Sequence, residues 1–521
     1  MSLVGRVGRR RPRARIATLF LYFILVVGAL TTVYPFMLMI STGLRGASDQ
    51  DDPGLVPRYW SVFESKDALG KTDKSSLFGK YLLDKYAGDQ TMVDSNRIGS
   101  SASSDVQTAY VKFLQSLAPE DFLVAFHKSS GQVTSRLDQA YQNWLQGKYK
   151  TIEAVNRAYI DENMAFQTVS PPAELLDRKA WAEPNDRKFQ EWLQFKRSLP
   201  AEFRIPLRAQ RMFQEFLRSK FRNQLAQVPK EVLGSAKSIE QIDLPSSGPL
   251  LAEFRAKFLP ARYLSGTLED RWAALAKGPM PIDSYERSFV AGHEPEIRRE
   301  FSWRNYGYVL DYIVINGHAL WNTLIFCFLA ILTQLIVNPL AAYALSRYPI
   351  RATGKILLFL LATMAFPAEV ALIPAFLLLK QFGLLNTFAA LVLPSAASGY
   401  MIFLLKGFFD SLPPELFEAG QIDGAKETTM MFRIALPLSK PVLGYLALLA
   451  FMGAYGSFIY AFLVAQDQRI WTLMVFIYNL QTYAPKAVTM AALAVAALPT
   501  LVVFLFAQRV IMRGIILPGE R

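Results

Sequence analysis

The side chains able to do covalent chemistry are few and scattered. His127, His293 and His318 are widely spaced, so a histidine-rich metal site is not expected. The single cysteine, Cys327, excludes a disulfide within the chain, a cysteine-rich zinc site and a cysteine-held iron–sulfur cluster. Nucleotide hydrolysis by a phosphate loop needs Gly-x-x-x-x-Gly-Lys-Ser/Thr, which does not occur. Glycoside cleavage needs two carboxylates about 5–10 Å apart, and no motif singles out such a pair. No Gly-x-Ser-x-Gly elbow is present. No metal, cofactor or catalytic residue is therefore expected on this chain.

The other candidates are binding residues in apolar surroundings. Glu369 follows Phe366-Pro367 in an apolar segment, and an ionisable residue there is a functional candidate by default. The competing reading sets it at the outer membrane interface beside the proline. Asn322, Tyr400, Tyr455, Tyr460 and Asn479 could stack on or hydrogen-bond a polar solute. Aromatic residues also belt membrane interfaces, which is the alternative for the tyrosines.

These residues need elements to hold them, and composition says what kind. The chain has 521 residues, 52% hydrophobic and 19% charged, with net charge +13. Soluble domains carry about 25% charged residues. The average hides two kinds of sequence. Residues 43–316 hold 37 Lys/Arg against 35 Asp/Glu and read as water-soluble. The flanking apolar parts hold 19 Lys/Arg and 8 Asp/Glu, so the positive charge belongs to them. Basic membrane flanks explain it, and no nucleic-acid partner is expected.

A spanning helix needs about 20 mostly apolar residues. Six segments qualify: 16–40, 318–345, 356–379, 388–405, 441–465 and 487–507. Pro394 and Gly399 interrupt the fourth. The first is too long for a cleaved signal peptide and reads as a retained anchor. Lys/Arg asymmetry orients the set. With the arginine-rich tail inside, 16 Lys/Arg fall on the inner side, and the short outer loops hold only Lys380, Arg469 and Lys486. The expected organisation is a basic cytoplasmic tail (1–15), a first span (16–42), an extracytoplasmic insert (43–316) and a five-span core (317–521). Both termini lie in the cytoplasm, and membrane lipid surrounds the spans.

The most specific pattern lies in the cytoplasmic loop 406–440. Glu415 and Glu418 favour the positive end of a helix dipole. Gly424 permits a sharp turn, and Pro437 ends the second piece. Phe417, Met430, Met431, Phe432 and Ile434 are expected to give the loop an apolar surface, which usually means a partner.

This stretch closely resembles the EAA loop of binding-protein-dependent ABC importer permeases. That pattern is Glu-Ala-Ala, three residues, Gly, nine residues, Ile, one residue, Leu-Pro. Here Glu418-Ala419-Gly420, Gly424, Ile434 and Leu436-Pro437 keep the spacing, with Asp423 and Ala425 flanking the turn. Gly420 stands where the family prefers alanine. Asn322-Thr323, Ala342 to Pro349, Phe366-Pro367, Ile373-Pro374, Gly383 to Thr387 and Leu393-Pro394 are similar to the maltose-type sugar branch. So is the ending Gly514 to Gly519.

The resemblance implies an all-α membrane protein of the type I importer permease fold. It would have six transmembrane helices and a mainly helical extracytoplasmic domain between helices 1 and 2. It implies a multi-pass permease subunit of the cell inner membrane, importing a carbohydrate and forming half the translocation pathway. The implied partners are a cytoplasmic ABC ATPase dimer carrying ATP and Mg, a second permease subunit and an extracytoplasmic solute-binding protein.

The insert exceeds the family's usual loop. Met212, Phe213, Phe216, Leu217 and Phe221 are spaced for one helix face, with Arg211, Arg218 and Arg222 on a solvated one. Residues 142–156 resemble a helical stretch of some glycosidases. The insert reads as a docking or gating domain. The alternative is a permease-like anchor carrying an extracytoplasmic enzyme or receptor.

Overall fold

The computed structural model describes residues 12–66, 73–96, 102–127, 135–163, 166–276, 278–315, 317–348, 350–365 and 367–514. Residues 1–11 of the basic tail, Pro349, Phe366 and the ending from 515 lie outside them. The chain divides into two compact units, Met1–Gly43 with Asn305–Arg521, and Leu44–Arg304.

The first unit is built from apolar helices. Thr18–Gly43, Ala319–Arg347 and Lys486–Gln508 are each long and apolar enough to cross a bilayer. The other segments are broken. Phe388–Ser395 and Gly399–Asp410 meet at 51°. Pro394 withholds a backbone donor at that break. A Cβ on Gly399 would lie 2.6 Å from the Leu360 carbonyl oxygen, so glycine allows the close approach to helix Thr353–Met364. Segment 356–379 forms two helices, Thr353–Met364 and Ala368–Gln381, parted at Pro367. Segment 441–465 forms Lys440–Tyr455 and Ile459–Val464, and the stretch Glu427–Leu438 enters at 81° to the former. Leu473–Tyr483 is a further apolar helix that no expected segment anticipated. The described residues show three continuous helices, two bent pairs and shorter apolar helices.

Ala319–Arg347 is the spine of this unit. Its buried polar residues satisfy backbone groups that the breaks set free. The Asn338 side chain accepts the Ser398 N–H at 2.8 Å and donates to the Gln334 carbonyl at 2.8 Å. Thr323 accepts the Leu473 N–H at 2.7 Å. Asn322 donates to the carbonyls of Arg469 and Trp471 at 2.9 and 3.1 Å. An unpaired backbone group in hydrocarbon costs several kcal/mol, so these bonds fix where the chain can bend.

The Leu44–Arg304 unit is helical with one antiparallel pair, Phe122–Val124 against Arg204–Pro206, Leu123 opposite Ile205. Its core is aromatic: Trp192, Trp272, Tyr110 and Phe113 are buried, and Tyr110 meets Trp272 edge-on at 5.5 Å. Buried cations hold the ends of elements. The Arg204 guanidinium donates to the carbonyls of Leu114, Gln115, Arg197 and Leu199 at 2.9–3.0 Å. Those carbonyls close helices Ser104–Ser116 and Arg187–Ser198, where a cation is favoured. The Lys196 ammonium reaches Glu174 at 2.8 Å and the Phe122 carbonyl at 3.0 Å. Met212, Phe213, Phe216 and Leu217 are buried as their spacing predicts. The arginine row is a correction. Arg211 and Arg218 are largely covered and paired with Asp89 and Glu240, and Arg222 alone is exposed. Acidic partners from other elements meet this face, which the local sequence does not display.

Asp138 gives this unit a pH dependence. It lies in helix Ser135–Tyr149 and accepts from the Gln142 amide at 2.8 Å. Burial raises its carboxyl from 3.8 to about 7, against the opposing pull of that hydrogen bond. The folded chain keeps this proton over a range in which the unfolded chain has lost it. The stabilisation is complete below pH 3.8 and is lost as pH rises through 7. The loss amounts to at most about 4 kcal/mol above pH 7. Six of the eight tryptophans lie in this unit, so their fluorescence follows its unfolding. We expect Asp138→Asn to raise the thermal midpoint clearly at pH 8 and about half as much or less at pH 5. A gain as large at pH 5 as at pH 8 would refute the buried-proton assignment.

Candidate functional site

Two features of the first unit can bind something: a loop with one open face and a cleft among the helices. The loop begins with helix Pro414–Ile422, where proline at the first position gives up a donor the helix would leave unpaired. Glu415 lies in the first turn, where the dipole favours it. The helix ends in two bonds, Ala425 N–H to the Gly420 carbonyl at 2.9 Å and Gly424 N–H to the Gln421 carbonyl at 3.0 Å. This pairing needs a left-handed residue after the cap, and Gly424 supplies it with φ +73°. The chain continues through Glu427–Met430, a π-type turn Met431–Ala435 and the short turn Leu436–Leu438.

One face of the loop is locked to the helices. Phe417, Met430, Met431 and Ala435 are buried in one cluster with Ala342, Tyr343 and Phe409. The Arg347 guanidinium lies 3.6 Å from the Phe417 ring centroid and donates to the Phe409 carbonyl at 2.6 Å. The Tyr343 hydroxyl donates to Glu427 at 3.0 Å. This corrects the expected apolar surface. Phe417, Met430 and Met431 are core, Ile434 is half-buried, and only Phe432 of that set is exposed. The open apolar residues are Leu416, Ile422 (87% exposed), Phe432 (62%) and Leu438. Glu418, Ala419, Asp423, Gly424 and Pro437 share the exposure, Gly420, Ala425 and Leu436 are partly covered. The helical period of 414–422 marks this division, because Leu416 and Phe417 point about 100° apart.

The cleft holds about 510 Å³. Phe326, Leu391 and Leu449 give it apolar walls, and Gln334, Ser395, Ser398, Ser457 and Tyr460 are its polar lining. Of the expected path residues whose side chains are described, only Tyr460 lines it, with its hydroxyl bonded to the Ala390 carbonyl. Asn322 is spent on the Arg469 and Trp471 carbonyls. Tyr455 is buried and bonds the Ala496 carbonyl. Asn479 bonds Val475 in its own helix, and Tyr400 shares a hydrogen bond with Tyr445. Glu369 belongs to helix Ala368–Gln381, and its side chain lies outside the described ones. Gln334 was not anticipated. An uncharged amide in an apolar segment, four residues before Asn338, was the available signal.

The Leu44–Arg304 unit has its own cleft of about 360 Å³ beside Asp89, His127, Glu174, Asp177 and Arg211. Burial pulls His127 down to about 4, and the charge of Lys196 adds to the effect, so the imidazole is neutral near pH 7. Arg211 reaches Asp89 at 3.7 Å.

The two faces of the loop make opposite predictions. Phe417→Ala empties a buried site and should cost about 3–5 kcal/mol. Phe432→Ala should leave the thermal midpoint within a degree. A Cβ on Gly420 would meet Ile434 and Met430 at 3.4–3.5 Å, an ordinary contact. Gly420→Ala should therefore stabilise its helix by about 0.5–1 kcal/mol. Differential scanning fluorimetry of the purified chain checks all three. Equal loss from Phe417→Ala and Phe432→Ala would sink the two-faced description.

Comparison with known proteins places this architecture. The family of binding-protein-dependent transport system inner membrane components matches residues 313–517. Protein LplC of Bacillus subtilis is 32% identical over 200 residues, 35% of this chain and 67% of LplC. The diacetylchitobiose uptake system permease protein NgcG of Streptomyces coelicolor is 31% identical, over 40% of this chain and 71% of its own. The sn-glycerol-3-phosphate transport system permease protein UgpE of Yersinia enterocolitica is 31% identical, over 41% and 79%. The family match begins after the Leu44–Arg304 unit. With these identities extending over two thirds or more of the relatives, the chain belongs to the family of binding-protein-dependent transport system inner membrane components.

Proposed function

We propose that this chain is the permease subunit of an ATP-driven ABC importer for a carbohydrate. One observation carries the reading: a helix packed to the spans on one face and open on the other. Arg347, Phe417, Tyr343 and Glu427 tie Pro414–Ile422 to the end of Ala319–Arg347. The open face presents Leu416, Glu418, Ile422 and Phe432. A cytoplasmic ATPase that grips this face and closes on ATP would move the attached helix as a rigid body. The cleft would then change its access from one side of the membrane to the other. ATP and Mg reside on that partner.

Half a pathway calls for a second permease subunit. The family's description as binding-protein-dependent supports a solute-binding protein partner. NgcG, named for diacetylchitobiose uptake, supports a carbohydrate. In this reading the broken segments count as single spans, giving six spans in the inner membrane with both termini in the cytoplasm. The Leu44–Arg304 unit lies on the opposite side and docks the solute-binding protein or gates the partner permease. The polar cleft beside Asp89, His127 and Arg211 favours a second reading, a receptor or enzyme domain on a permease-like anchor.

Co-expression with the ATPase and a sister permease tests the first reading. The ATPase should co-purify with wild type and be lost from Glu418→Lys and Gly424→Pro. The double variant Ile422→Ala/Phe432→Ala should retain less than a tenth of it while unfolding at the wild-type temperature. Equal capture by all four chains would remove the loop from the mechanism and direct attention to the Leu44–Arg304 unit.

A further inference from the structure

We propose that the 510 Å³ cleft admits an uncharged, hydroxyl-bearing solute, and that Gln334 and Ser457 are the side chains that read its hydroxyls. This rests on the permease reading and narrows its substrate class.

Among the described residues, the lining contains no Asp, Glu, Lys, Arg or His. A phosphate or carboxylate entering such a cleft would leave water without meeting a cation, which is strongly unfavourable in an apolar setting. A sugar needs no counter-charge. Its ring faces suit Phe326, Leu391 and Tyr460, and each hydroxyl can both donate and accept. Three of the polar groups are already committed. Tyr460 donates to the Ala390 carbonyl, Ser395 donates to the Val392 carbonyl at 3.1 Å, and Ser398 accepts the Met401 N–H at 3.4 Å.

Two groups remain. The Gln334 residue is 8% exposed, and its side-chain oxygen is sealed from water without a hydrogen-bond partner among the described residues. Ser457 is half-buried, and no hydrogen bond of its hydroxyl occurs among the described residues. A buried amide oxygen without a donor is uncommon and unfavourable. A solute hydroxyl supplies that donor once the cleft opens around it. A phosphate ester or uronate offers its charged oxygens only as acceptors and would be repelled by the same atom. Gln334 and Ser457 thus select for the neutral solute as well as hold it.

The test is ATP-driven uptake by the assembled importer in proteoliposomes. The neutral probes are maltotriose and diacetylchitobiose, and the anionic probes are trigalacturonate and glycerol 3-phosphate. Wild type should import the better neutral probe at least tenfold faster than either anion. Gln334→Leu and Ser457→Ala should each lower that uptake about tenfold while ATPase association and basal ATP hydrolysis stay unchanged. Gln334→Lys should shift the neutral-to-anionic ratio at least tenfold toward the anions, a change that a merely structural role would not produce. Wild-type import of an anion at a rate comparable to the neutral probes overturns the proposal. So does a ratio unchanged in Gln334→Lys together with wild-type uptake in Gln334→Leu and Ser457→Ala. Failure of the ATPase to assemble with wild type would instead strike at the permease reading itself.

Discussion

The first unit depends on satisfying broken backbone in an apolar environment. Its helices are interrupted at Pro367, around Pro394 and before Lys440. Each interruption frees N–H and C=O groups, and hydrocarbon offers them no partner. The spine helix Ala319–Arg347 answers with Asn322, Thr323 and Asn338, which meet the loop before Leu473, the Leu473 N–H and the Ser398 N–H. The Asn338 side chain satisfies the Ser398 N–H at the bend between Phe388–Ser395 and Gly399–Asp410. A bend there opens the wall in which Ser395, Ser398 and Met401 line the cleft. The cleft is thus a product of the same polar groups that hold the fold.

In the proposed reading, transmission requires a stiff connection, and the packing of the loop supplies one. A coupling element that only touched its helices would slip. Here an aromatic ring is seated under a guanidinium, and two methionines fill the space behind it. Close-packed contacts of this kind transmit displacement because interiors have little free volume. The glycine turn at Gly424 contributes differently. Its two backbone bonds close the helix without using any side chain of the open face, so Leu416, Glu418 and Ile422 stay available to a partner.

Sequence alone disclosed the turn, the stop and the exposed acidic residues of this loop, because Gly424, Pro437 and Glu418 act through local backbone rules. It misassigned the apolar residues. Phe417 and Met430 carry the same chemistry whether they face a partner or their own bundle, and only the position of Tyr343 and Phe409, on other helices, decides. The surroundings of the path residues are set in the same way. Asn322 and Tyr455 have the functional groups to bind a sugar, yet each bonds a carbonyl more than 40 residues distant. The interruption of 388–405 was legible in Pro394 and Gly399. The 81° turn before Lys440 was legible only as the stop at Pro437, which sets no angle.

The Leu44–Arg304 unit shows how a permease tolerates so large an addition. An inserted domain is harmless to its host when its two ends meet. The buried Tyr59 hydroxyl donates to the Leu44 carbonyl at 2.7 Å and lies 3.2 Å from the Ser302 hydroxyl, with the Trp60 indole on the same Ser302. Burial pushes Tyr59 up to about 12, so it stays a neutral donor at any pH the protein meets. On the other side of the boundary, Asn305 donates to the Gly43 carbonyl at 2.9 Å and Tyr306 to the Ile40 carbonyl at 3.0 Å. Each unit therefore joins its own two chain ends with its own hydrogen bonds.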